Sequence, residues 1–243
     1  VQDVYREIFR GGMPRLLTSN IERDRYFADY VNTYLERDIK NLSQVGKLSE
    51  FYDFLVLLAG RTSQELKYDE LAKSVGVSIP TIKNWVSILE RSGIIFILRP
   101  YASTLSNRLV KRPKIYFLDT GLCAYLCRWP SPETISCGAM DGAFLETYVV
   151  SEIIKSYYNA GKRPDLYYYR DIDKKEIDLI IEEGDKLYPI EIKKSKNPSH
   201  ADKNFAVLNK FKKQVQPAII LCMSDEFIPY NRNAWICPIS VSN

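Results

Sequence analysis

Two periodicities share this chain. Over residues 1–46, apolar and aromatic positions recur at helical spacing. After the break at Gly11-Gly12-Met13-Pro14 comes Asn20 as an N-cap, then Tyr26, Tyr30, Tyr34 and Leu35 with charges between them. This aromatic stripe has no partner within its own segment. It is expected to pack on the next segment or on a region outside this chain.

Residues 47–130 keep the helical period and then change it. Leu48, Phe51, Phe54, Leu55 and Leu58 predict one amphipathic helix, and Asp69 to Val75 a short second one. Gly76-Val77-Ser78 makes a tight turn that needs a left-handed residue, which glycine supplies. Pro80 falls in the first turn of a third helix, where its missing N–H matters little, and Gly93 ends that helix. Ile94 to Leu98 is a β-branched strand, Ser103 to Arg112 a polar, basic loop, and Lys114 to Leu118 the returning strand. Helix, helix, helix, strand, loop, strand is the order of a winged helix. Ala72 is small where two helices cross, and Ile82 and Val86 face the core. Thr81, Lys83 and Asn84 on the third helix, with Arg108, Lys111 and Arg112 on the wing, are candidate nucleic-acid contacts. Solvated surface is the plain alternative for all six. Asp119 to Trp129 is expected to be a short helix carrying Cys123 and Cys127 one turn apart.

Residues 131–243 alternate helix and strand. Ser131 to Gly142, with two Pro-flanked turns, is the expected linker. A helix over Gly142 to Tyr158 is followed by strands at Asp165–Arg170, Glu176–Glu182 and Lys186–Lys194. A second helix over Ala201–Lys213 and a strand over Gln216–Met223 complete an αβββαβ order, and a final strand is placed at Ala234–Ile239. Ser199 or Asn197 would cap the second helix, with His200 at its start. The whole chain is thus expected to be α/β, with an all-helical and winged-helix N-terminal part and a C-terminal mixed sheet.

Composition narrows the class. The 243 residues carry a net charge of +4, which permits nucleic-acid contact without demanding it. Five cysteines, an odd number without a C-x-x-C pair, argue against a disulfide framework or a zinc site and for thiols in a reducing, cytoplasmic setting. No apolar run reaches the length of a membrane span and no leader precedes Val1. Val1 is not a methionine, so the chain is expected to be a piece of a longer protein.

The chemistry concentrates on two adjacent strands. Strand side chains alternate faces, so Glu176 shares a face with Asp178, and Glu191 with Lys193. The Gly184 hairpin makes these strands neighbours, and a register that buries both apolar sets puts Asp178 beside Glu191. Hydrolysis of a phosphodiester needs such a set. Carboxylates hold a hard divalent cation, most plausibly Mg²⁺, and a lysine steadies developing charge. Glu146 on the preceding helix and the Ile190 carbonyl are further candidate ligands. An ordinary solvated sheet face with paired charges is the competing reading. Lys194, Lys196, Lys203, Lys210, Lys212 and Lys213 form a basic patch around the set, which suits a polyanion or a plain helix surface.

With these residues in hand, Asp178 and Glu191-Ile192-Lys193, preceded by a helical Glu146, resemble the PD-(D/E)xK, or restriction-endonuclease-like, superfamily. Ile177 stands where the literal Pro of that motif would be. Gly11-Gly12-Met13-Pro14, Lys114 to Leu122, Glu176-Ile177-Asp178 and Pro189 to Lys193 occur in the same order in a large family of prokaryotic AAA-type ATPases. That resemblance covers nearly the whole chain, which is similar to the family's C-terminal winged-helix and nuclease-like region. It implies metal binding by Asp178 and Glu191, with Glu146 as the helical acid and a catalytic role for Lys193. It also implies an ATPase domain upstream, which alone would take ATP, because no G-x-x-x-x-G-K-[ST] loop occurs here. The expected function is a nucleic-acid-directed module with a Mg-dependent nuclease site. The alternatives are an inactive nuclease-like fold that recruits a protein partner and a DNA-binding regulator.

Overall fold

Helices built on apolar stripes fill the first half of the chain, and strands built on alternation fill the second. The computed structural model describes residues 2–34, 48–102 and 112–239. The helices are α1 (Gln2–Arg10), α2 (Pro14–Thr18), α3 (Arg23–Tyr34), α4 (Leu48–Ala59), α5 (Tyr68–Val75) and α6 (Ile79–Arg91). Then come β1 (Ile95–Pro100), β2 (Lys114–Phe117), α7 (Thr120–Leu126), α8 (Pro132–Cys137) and α9 (Asp141–Asn159). Strands β3 (Leu166–Arg170), β4 (Glu176–Glu183) and β5 (Lys186–Lys193) precede a 3-10 helix at Phe205–Lys210. Strands β6 (Gln214–Val215), β7 (Ala218–Cys222), β8 (Ile228–Asn231) and β9 (Ala234–Pro238) close the chain. It is a mixed α/β protein with a helical N-terminal part and a C-terminal mixed sheet. Among the described residues no helix is long and apolar enough to cross a membrane.

The chain divides into two compact units. One is Gln2–Ile97 with Ile115–Tyr148, and the other is Leu98–Lys114 with Val149–Asn243.

In the first unit, Phe51, Phe54 and Trp85 form a fully buried aromatic cluster between α4 and α6, with ring centroids 5.2 to 5.7 Å apart. Gly76 ends α5 in the left-handed conformation, φ 78°, and Ser78 caps α6 by accepting from the Thr81 N–H. The left-handed Gly76 is as the spacing predicts, and the Ser78 cap is an addition of the structure. Two expectations change. The N-terminal segment has partners of its own. Val4, Tyr5 and Ile8 of α1 are buried, α1 packs on α7 and α8, and the Tyr5 hydroxyl donates to the Asp141 carbonyl at 3.1 Å. The expected linker is helical. Ser131 and Thr134 form a capping box, Pro132 sits at the first position, where proline favours a helix start, and Ile135 is fully buried. Tyr26, Tyr30 and Tyr34 stack along one face of α3, and Leu35 lies outside the described residues.

The Gly11-Gly12 string meets the Asp119–Leu122 string in this unit. Asp119 accepts from the Gly12 N–H at 2.8 Å and from the Leu122 N–H at 2.7 Å. A Cβ on Gly121 would stand 2.6 Å from the Arg10 carbonyl oxygen and 2.7 Å from the Gly11 Cα, closer than backbone tolerates. Arg23 closes the junction, donating to the carbonyls of Phe9 and Gly121 and lying 3.8 Å over the Phe9 ring.

The second unit is a mixed sheet in the order β1-β3-β4-β5-β7-β9-β8, with β6 alongside β5. Pairing is antiparallel for β3–β4, β4–β5 and β8–β9, and parallel for β1–β3, β5–β7 and β7–β9. Gly184, φ 60°, makes the β4–β5 turn. Val149, Val150 and Ile154 of α9 are buried in this unit. Residues 201–213 are not the expected α-helix. Turns lead into the short 3-10 helix, and His200 takes φ 52° rather than a helix-start geometry. The reason is in the spacing. Phe205, Leu208 and Phe211 recur every three residues, the 3-10 period, and all three pack on the sheet core. The αβββαβ order therefore lacks its second α-helix and gains β8, which the sequence conceals behind Pro229, a residue tolerated at a sheet edge.

Gly121→Ala is expected to destabilise the chain by about 2 kcal/mol or more, since neither neighbouring backbone can retreat from a new methyl group. Urea unfolding would show this as a lower midpoint at unchanged slope. A midpoint equal to that of wild type would remove the close-approach explanation.

Candidate metal centre

Five facing residue pairs join β4 to β5, from Glu183↔Lys186 to Leu179↔Ile190, and there the two strands part. β4 continues against β3 through Ile177↔Tyr169 and Glu176↔Arg170. β5 continues against β7 from Ile190↔Ile219 to Lys193↔Cys222. One step past the last pair, Asp178 and Glu191 stand opposite each other, and opposite residues share a face. The Asp178 side chain replaces the missing ladder bond, accepting the Ile192 N–H on Oδ2 at 2.8 Å. The sequence-predicted register thus delivers Asp178, Glu191 and Lys193 to one fork, with Glu176 two residues along β4.

Of the charges in the fork, Glu191 is buried, and Asp178, Glu176 and Lys193 are half-buried. Glu191 is only 7% exposed. Its Oε1 accepts from Lys193 Nζ at 2.5 Å, and its Oε2 is buried without a hydrogen-bond partner. Burial first, and the Asp178 charge second, push the Glu191 carboxyl up to about 7, with Lys193 opposing. Burial also raises Asp178, against the pull of the Lys114 and Lys193 ammonium groups. Glu176 is ion-paired to Lys114 at 2.5 Å and to Arg170 at 3.7 Å.

Lys114 is the participant that the sequence reading missed. It opens β2, whose next three residues are apolar and buried, and a lysine in that position was the available signal.

The remaining candidates have the following surroundings. Glu146 belongs to the first unit, where its carboxylate accepts from the Tyr116 hydroxyl at 2.6 Å. Ile190 is paired on both sides, with Leu179 and with Ile219. Lys83 and Asn84 are exposed on α6 and Thr81 is half-buried, its hydroxyl 2.8 Å from that of Ser78. Arg112 is exposed, and Arg108 and Lys111 lie outside the described residues. The lysines expected as one basic patch are dispersed into separate contacts. Lys196 pairs with Asp225, Lys210 meets the Tyr169 hydroxyl, and Lys213 bonds the Gly184 carbonyl and pairs with Glu182.

Among the described residues no three His, Cys, Asp or Glu side chains gather as a metal cage. Two carboxylates do meet, and one buried oxygen lacks a partner. That donor set fits a hard ion such as Mg²⁺, which is commonly held by one or two carboxylates and keeps several waters.

The sequence profile of a family described as a domain of unknown function, DUF8612, matches residues 1–133. The chain belongs to this family. A second domain of unknown function, DUF4143, matches residues 141–241. The chain is similar to the uncharacterized protein Rv2008c of Mycobacterium tuberculosis, with 29% identity over 193 residues, covering 78% of this chain and 43% of the relative. It is also similar to the uncharacterized protein MJ1637 of Methanocaldococcus jannaschii, with 28% identity, covering 61% of this chain and 31% of the relative. The chain thus spans less than half the length of these curated relatives. Two solved structures align at a TM-score of 0.24 and 14% identity. One is a mutant of MepR from S. aureus, covering 54% of this chain and 91% of that one. The other is VC1899 from Vibrio cholerae, covering 94% and 52%. At that distance neither bears on fold or function.

The raised Glu191 carboxyl makes stability pH-dependent. In the folded chain it holds its proton up to about 7, and in the unfolded chain only to the ordinary carboxylate value of 4.5. Its contribution is therefore fully present below pH 4.5 and is lost as pH rises through 7. Glu191→Gln removes this loss and is expected to exceed wild type at pH 8 by about 3 kcal/mol, with little difference at pH 4. Urea unfolding across that range checks it. A wild type that gains on the variant as pH rises would contradict the assignment.

Proposed function

We propose that this chain is a nucleic-acid-directed module of a prokaryotic AAA-type ATPase, acting in the cytoplasm, and that its second unit is a restriction-endonuclease-like phosphodiester hydrolase dependent on Mg²⁺. One observation carries the reading. A deeply buried Glu191 oxygen without a partner stands beside a second, half-buried carboxylate, Asp178, at the point where two strands part. An unsatisfied buried carboxylate oxygen is costly, and a bound cation would satisfy it. The free state of all five thiols fits a reducing compartment. ATP would be handled by a domain upstream in the full-length protein.

Asp178 and Glu191 would hold the ion, which when bound supplies charge neutralisation on the phosphoryl oxygens and an acidified water. The chain's own residues account for the rest. Ile192 N–H orients the Asp178 carboxylate, so its free oxygen is fixed rather than mobile. Lys193 is half-exposed and reaches the fork from the solvent side, and its ammonium steadies negative charge there. Residues 48–118 would act as a winged helix, with Lys83 and Asn84 of α6 facing DNA.

A second reading is favoured by the same ion pairs. With Lys193 on Glu191 and Lys114 on Glu176, the carboxylates already have counter-ions, which suits an inactive nuclease-like fold that recruits a protein or DNA partner.

Calorimetric titration with Mn²⁺ separates the two. The metal-dependent reading expects binding by wild type that Asp178→Asn abolishes, and cleavage of a labelled oligonucleotide that Lys193→Ala reduces by about 100-fold or more. Cleavage that survives both substitutions would end the nuclease assignment. For the α6 contact, Lys83→Ala is expected to weaken DNA binding similarly across sequences and to reduce the salt slope by about 1. An unchanged slope would remove Lys83 from the interface.

A further inference from the structure

The lysine at the head of β2 is an anomaly in an otherwise apolar strand. Its side chain is 5% exposed, and an ammonium so deeply buried persists only with counter-charges. Lys114 Nζ lies 2.5 Å from Glu176 Oε1 and 5.4 Å from the centre of the Tyr168 ring. The other Glu176 oxygen faces Arg170 Nε at 3.7 Å. Both Glu176 oxygens are therefore engaged by cations of the chain itself. Glu176 is nevertheless two residues from Asp178 on the same strand, close enough for each to lie in the other's field. Without Lys114 the fork would offer three carboxylates rather than two.

We propose that Lys114 is a positioning residue of the carboxylate site, a resident cation that withholds Glu176 from the donor set and limits the Asp178–Glu191 pair to a single divalent ion. The inference rests on the metal-binding reading of Asp178 and Glu191. Two effects act in the same direction. The ammonium repels any second divalent cation approaching Asp178, and its contact with Glu176 occupies a further carboxylate on the same strand face. The sign that follows is unusual for a buried lysine beside a binding site. Removing it strengthens metal binding, because one competing positive charge disappears and one carboxylate is released.

The test uses the full chain and Mn²⁺ alone, with calorimetry for affinity and electron paramagnetic resonance for the number of ions bound. Wild type is expected to bind one Mn²⁺. Lys114→Gln is expected to bind Mn²⁺ about tenfold more tightly, or to take up a second ion, since at short range one unit charge is worth at least that factor. Lys114→Arg keeps the wild-type affinity and count. Adding Glu176→Gln to Lys114→Gln cancels the gain. Affinity and count unchanged or reduced in Lys114→Gln overturn the proposal, as does a gain that persists in the double variant. Two Mn²⁺ bound by wild type also overturn it, and that measurement needs no folded Lys114 variant. Binding by wild type that is indifferent to Lys114 sinks this inference alone. No binding by either wild type or Lys114→Gln sinks the metal reading as well.

Discussion

Charge confined where β4 and β5 part company governs the second unit. A sheet that kept β4 and β5 paired to their ends would have met the Ile192 N–H with a regular ladder bond instead of the Asp178 carboxylate. Because β5 turns its hydrogen bonds to β7, and β4 keeps to β3, the two acids face each other across a gap lined by buried apolar residues. In such surroundings carboxylates cannot all carry charge unless cations stand with them. Every polar feature nearby answers that demand. Lys193 sits on Glu191, Lys114 and Arg170 sit on Glu176, and the Ile192 N–H sits on Asp178. One Glu191 oxygen remains over.

The residue strings singled out in the sequence sit in two different physical settings. Asp178, Glu191 and Lys193 bring charge into partly buried surroundings. Gly11, Gly12, Asp119 and Gly121 are structural: two backbone segments touch at a distance no side chain permits, and one carboxylate ties both. Arg23 locks the same junction through two carbonyls. Motifs of equal prominence in a sequence can therefore hold a fold together or hold a ligand, and burial with satisfied hydrogen bonds marks the first kind. The fork shows the opposite sign, burial with an unsatisfied oxygen.

Much of this was legible from pattern alone. Helices α4 to α6, the left-handed Gly76 that ends α5, and the alternation of β4 and β5 follow from local spacing, since each depends on residues within a turn or a strand of one another. The pairing of Asp178 with Glu191 was also readable, because a short hairpin fixes register and a slip would expose Leu179 and Ile190. Misreadings arose where a local signal had two meanings. Pro130 and Pro132 suggested a linker, yet proline at a first helical position starts a helix, and Ile135 had a core to enter. Phe205, Leu208 and Phe211 suggested an α-helix, but their strict three-residue repeat suits a 3-10 turn pressed on a sheet.

What the chain's own pattern determined is the set of elements and the face on which each acid lies, because both depend on neighbours a few residues apart. What only the tertiary structure decided is the company those acids keep. Lys114 is 62 residues before Glu176 in the sequence, and it comes to within 2.5 Å because separate strands converge on one unit. The parting of β4 from β5 likewise depends on β7, whose pairing with β5 no local spacing encodes. Long-range contacts of this kind are set by which apolar faces must be buried together, a property of the whole core rather than of any segment.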